Sequence, residues 1–106
     1  MSDDAAVVLT TVGNGKDATR ISRQLVEEHL AACVSTIAGV RSVYRWQGKV
    51  VAAEEYLLLI KTAPAAVARL RERLLQMHPY EVPELLVLGA TDVPEPYASW
   101  LQLNTG

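Results

Sequence analysis

The chain of 106 residues carries one cysteine, Cys33, and two histidines, His29 and His78. His78 is the residue best placed for chemistry. Pro79 pushes it out of the helical region, and Tyr80, Glu81 and Glu84 follow within a few residues. Two roles suit it: partner of a helix C-terminus, or ligand to a metal or small molecule. As a thiolate, Cys33 would suit a soft or borderline ion such as Cu(I) or Zn²⁺, although free cysteines more often serve as small buried hydrophobes. One Cys and one His do not complete a coordination sphere, and no CxxC, HxH or HExxH spacing occurs. A metal site shared between subunits is the form left open. No third group orients His78 against Cys33 for nucleophilic catalysis, and Gly13-Asn14-Gly15 is too short for a phosphate loop, so no enzyme is expected.

Lys61 ends an apolar run, where a charge belongs at a rim or with a partner and where an anion would find it. By period-two counting Val40, Tyr44 and Trp46 share one strand face while Arg41, Val43 and Arg45 share the other. Tyr, Trp and Arg are enriched at protein contacts, which reads Tyr44, Arg45 and Trp46 as a subunit interface. Glu54 and Glu55 point to opposite faces for the same reason and cannot form an acid and base pair; solvation, or a salt bridge to a neighbour's arginine, is expected. Arg69, Arg71 and Arg73 are interrupted by Glu72 and spread around a helix. With a net charge of -2 and no RNP-type aromatic strand, nucleic acid is not an expected partner.

These side chains need elements to hold them. Cys33 to Thr62 is rich in Val, Ile, Tyr, Trp and Thr on both sides of a Gln47-Gly48-Lys49 turn, which predicts one long β-hairpin. Arms of about a dozen residues reach roughly 40 Å, well beyond an ordinary strand of about five or six residues. Such arms outrun any partner in their own chain, and an unpaired aromatic ribbon must be covered by another subunit. Ala38-Gly39 marks a bulge in the first arm.

Around the hairpin, Ala5 to Val12 reads as a central strand and Lys16 to Leu30 as an amphipathic helix capped by Asn14 or Asp17. Pro64 opens a second helix through Val67, Leu70, Leu74 and Met77, stopped by His78-Pro79. Leu85 to Leu88 is a fourth strand, and Tyr97, Trp100 and Leu101 mark a short terminal helix. The result is one α+β domain over residues 1–106, a ferredoxin-like βαββαβ with two helices on one sheet face. Half of the residues are hydrophobic and 21% charged, which excludes a disordered chain. The single cysteine, the acidic start Met1-Ser2-Asp3-Asp4 and the lack of a membrane-length apolar run point to a cytoplasmic protein that makes no membrane contact.

Four blocks of sequence then carry a resemblance: Glu28 to Val34, Val40 to Lys49 with its Trp-x-Gly-Lys, Leu59 to Thr62, and His78 to Glu84 with its His-Pro-Tyr-x-x-Pro-Glu. In this order they resemble the CutA family of divalent-cation tolerance proteins over nearly the whole chain. The resemblance implies a cytoplasmic homotrimer whose long hairpins pack around a threefold axis, an architecture akin to the PII signalling proteins, and binding of copper or another divalent cation. Some bacterial members carry a thiol at the position of Thr10 and a second histidine at that of Met77. Only His78 is left of that set here, so weak metal binding is expected. The other function to weigh is a PII-like sensor of a small anionic metabolite, held in clefts between subunits by Lys61, Trp46, His78, Tyr80 and Glu84. An acylphosphatase, which shares the fold, ranks last for want of an Arg and Asn phosphate cradle.

Overall fold

The computed structural model describes residues 4–106, so the acidic start at Met1-Ser2-Asp3 lies outside the described residues. The elements are β1 (Ala5–Val12), α1 (Gly15–Glu27), β2 (Cys33–Trp46), β3 (Lys49–Thr62), a 3-10 turn at Pro64–Ala66, α2 (Val67–Met77), β4 (Leu86–Ala90) and α3 (Glu95–Leu103). All strand pairs are antiparallel, in the order β2-β3-β1-β4, which is the ferredoxin-like arrangement. The central places of β1 and β3 account for their apolar residues on both faces. On one face Ala18, Ile21 and Leu25 of α1 and Leu70, Leu74 and Met77 of α2 bury Val8, Val12, Leu58 and Ile60. Each such aliphatic side chain contributes roughly 1.5–3 kcal/mol. α3 closes the end of the sheet where β1 begins, with Leu101 against Ala5, Ala32 and Ala90.

Helix α1 starts where Asn14 Oδ1 accepts the Asp17 N–H at 2.8 Å. It stops at Glu27 rather than at Leu30. The N–H of His29 donates to Val26 O and that of Leu30 to Leu25 O, a Schellman closure with His29 in the left-handed region at φ 60°. Glycine usually marks this position, so the stop has no glycine to announce it. Thr62 Oγ1 then donates to Leu30 O at 2.7 Å. Across the two helices Arg73 grips Glu28 with two N–H donors, at 2.9 and 3.1 Å, and holds that carboxyl below its usual range. Strand β4 runs from Leu86 to Ala90, two residues beyond the expected end, because its pairing with β1 carries it to Ala5 opposite Ala90.

The hairpin turn uses two residues rather than three: Gln47 and Gly48 have φ of 50° and 81°, while Lys49 already pairs with Trp46. Two consecutive positive φ values suit a turn that follows the right-handed twist of the arms. In β2 the register jumps between Ile37 opposite Leu57 and Val40 opposite Glu55, with Gly39 at φ 72°. Ala38 and Gly39 thus face a single residue, and the alternation of side chains is shifted by one. Before this bulge Cys33, Ser35 and Ile37 share the face away from α1 and α2; after it Val40, Ser42, Tyr44 and Trp46 do, beside Glu55 of β3. Strand β1 stops at Val12 opposite Tyr56, so the arms beyond it pair only with each other. The protein measures 44 × 28 × 23 Å with a radius of gyration of 14.3 Å. A compact chain of this size would have about 13 Å.

Candidate functional site

At the root of the projecting ribbon three segments meet: the end of β1, the arms of β2 and β3, and the connection after α2. His78 is the first residue of that connection, with extended backbone as Pro79 requires. It is buried, and both ring nitrogens have partners. Nδ1 accepts the Tyr80 N–H at 3.1 Å. The ring proton is therefore on Nε2, which donates to Thr11 O at 2.9 Å and lies 3.1 Å from Thr10 Oγ1. Burial pushes the His78 pKa below the usual histidine value, outweighing the bond to Thr11 that favours the charged form. His78 is thus a neutral clamp that holds the turn into Tyr80.

Tyr80 tilts against that ring with centroids 5.0 Å apart, and its hydroxyl donates to Glu55 Oε2 at 2.7 Å. Burial, and then the hydrogen bond to Glu55, hold the phenol protonated well above the tyrosine range. A Cβ at Gly13, just after β1, would come within 3.2 Å of the Tyr80 hydroxyl and ask it to shift by a few tenths of an ångström. Glu55 is only 6% exposed, which corrects the expectation of a solvated strand residue. Period-two counting assigns a face but says nothing of the loop that covers it.

Between this bond and the ribbon lies a cavity of about 800 Å³. Trp46, Tyr80 and Glu84 line it together, with Tyr44, Glu55 and Glu81. Lys61, expected in the same cleft, is not there. It lies six residues from Glu55 along β3, about 20 Å away at ~3.3 Å per residue. Its Nζ donates to Ser35 Oγ at 2.6 Å and lies 3.9 Å from Cys33 Sγ. Cys33 pairs directly across from Lys61, whereas His78 joins Thr10 on the helix-covered side of β1, so the structure does not bring the two proposed metal ligands together. Among the described residues no three His, Cys, Asp or Glu side chains are grouped to hold a metal ion. Within one chain such a donor set does not complete a resident metal site. Arg45 lies near the ribbon tip, where it donates to Gly48 O at 3.5 Å, and Tyr44 and Trp46 are 44% and 41% exposed. Among the described residues no helix is long and apolar enough to cross a membrane.

Comparison with known proteins places this geometry in a family. Residues 6–104 match the pattern of the CutA1 divalent ion tolerance protein. The divalent-cation tolerance protein CutA of Thermus thermophilus is 48% identical over 100 residues, covering 94% of this chain and 97% of that one. A solved structure of the divalent cation tolerance protein from Thermus thermophilus superposes with a TM-score of 0.92 at 47% identity, over 96% of this chain and 99% of that one. The chloroplastic protein CutA of Arabidopsis thaliana is 39% identical over 93% of this chain, which spans about half (54%) of that longer protein. None of these names is that of an enzyme. With the family pattern running through almost every residue and the same fold in a relative nearly half identical, the chain belongs to the CutA1 divalent ion tolerance family.

Proposed function

We propose that the protein works as a non-catalytic cytoplasmic homotrimer in the response to divalent cations, and that its own contact with copper or another divalent ion is weak and runs through His78. The observation that carries the assembly is the ribbon of β2 and β3 beyond Tyr56, a two-stranded extension with Tyr44, Trp46, Val43 and Val50 all exposed. An isolated two-stranded ribbon is marginal in water, and packing against other subunits supplies what it lacks. Weak metal contact follows from the donors: the imidazole must give up the Tyr80 N–H before Nδ1 can ligate, and Cys33 sits elsewhere. Sedimentation at micromolar concentration is expected to give three subunits, and a monomer would overturn the assembly. In titration calorimetry His78→Ala is expected to reduce Cu²⁺ affinity at least tenfold; unchanged affinity removes His78 from the metal contact.

The cavity favours a second reading. A space of about 800 Å³ lined by aromatic and carboxylate side chains has the size and mixed character of a small-molecule site. On this reading the trimer is a PII-like sensor whose ligand enters the clefts beside each ribbon, and ligand without metal raises the melting temperature.

A further inference from the structure

We propose that the root of the ribbon is a hinge and that the connection after α2 latches it through Tyr80 and Glu55, fixing the pose in which the arms meet other subunits. The consequence for assembly rests on the trimer proposed above; the hinge itself does not. Two interruptions of the sheet fall at one level. Strand β1 stops pairing with β3 at Tyr56, and β2 loses its regular ladder between Ile37 and Val40, which face Leu57 and Glu55. The same step thus frees β3 on one side and bulges β2 on the other. Gly39, at φ 72°, has no neighbour within 4 Å of where a Cβ would stand, so no packing stiffens the bulge there. A bulge breaks the ladder locally and bends its strand, and hinges form where a few residues absorb a change of backbone angle.

Across this weak level runs one tie. Among the described residues, no side-chain hydrogen bond or ion pair other than that of Tyr80 with Glu55 joins residues 40–55 to the rest of the chain. The tie is anchored at its far end, because His78 accepts the Tyr80 N–H and donates to Thr11 O of β1. It therefore runs from β1 through the connection to the first ribbon residue that β1 does not pair. Glu55 is buried, so water does not compete for the bond while it is closed. Farther out, the cavity of about 800 Å³ separates the connection from Ser42, Tyr44 and Trp46. The ribbon has room to tilt there once the phenol lets go.

The test is amide hydrogen exchange on the intact chain, with sedimentation alongside. Tyr80→Phe removes the donor but strands a buried carboxylate, which by itself loosens the fold. Tyr80→Phe combined with Glu55→Met removes both polar partners and keeps their bulk, so stability returns while the latch stays absent. Both variants are expected to speed exchange roughly tenfold or more over residues 40–54, and the double variant to leave β1, α1 and α2 unchanged. Both are expected to need roughly tenfold more protein to hold the trimer. If the double variant exchanges and associates like the natural chain, the bond serves only to satisfy Glu55 and the latch is overturned. Faster exchange throughout the double variant also overturns it, because the whole fold has then weakened. If ribbon exchange accelerates while association is unchanged, the hinge stands and its control of assembly is overturned. A natural protein that sediments as a monomer overturns the trimer alone, since the exchange comparison still decides the hinge.

Discussion

His78 could be singled out from sequence because Pro79 fixes its backbone, but its partners could not. Thr10 and Thr11 are nearly seventy residues away in sequence, at separations of 68 and 67, and come close only once β1 lies beside the end of α2. Glu55 was less legible still, because its depth depends on Tyr80, 25 residues further along. The depressed His78 pKa has a consequence for stability. The folded protein favours the neutral ring, whereas the unfolded chain takes up a proton near pH 6.5. The stabilising contribution is complete above that value and is lost as pH falls from 6.5 through the lower pKa of the folded state. Melting temperatures measured between about pH 7.5 and 5 should therefore fall more steeply for the natural protein than for His78→Gln, and parallel curves would refute this. His29 offers the opposite kind of change. Its left-handed φ of 60° carries a cost that glycine avoids, and the side chain is exposed. After the extra entropy of an unfolded glycine is set against it, His29→Gly should stabilise by about 0.5–1 kcal/mol in urea denaturation.

Among the elements, the long hairpin and all three helices could be read in outline from pattern alone, since strand alternation and helical spacing repeat often enough to be recognised. Ends were harder. Helix α1 reads as longer than it is because Leu30 continues its apolar spacing, yet Leu30 is buried as part of the closure after His29. The reach of β4 was set by its pairing with Ala5, which no local signal records. The bulge at Ala38-Gly39 could be suspected from a glycine within a strand, but its effect becomes visible only with the register. Deleting Ala38 leaves Ile37 opposite Leu57 and Val40 opposite Glu55, so Tyr44 and Trp46 keep their face while the ribbon loses the bend and extra twist of the bulge. The deletion variant is expected to weaken the proposed trimer in sedimentation, whereas unchanged association would show that the bend of the ribbon does not set the contact.

For the whole molecule, an oligomer held by its ribbons should lose stability on dilution, because only the assembled form covers them. The melting temperature is expected to drop measurably for each tenfold dilution in the micromolar range; a constant value would mean that each chain is stable alone. The elongated shape has one more consequence. β3 parts from β1 at Tyr56, and Glu55 is the next residue outward, gripped by Tyr80. The ribbon is a cantilever, and this hydrogen bond is a brace beside its fixed end. A small rotation there becomes a displacement of several ångströms at Gln47-Gly48, so the aim of the whole arm depends on a single phenol.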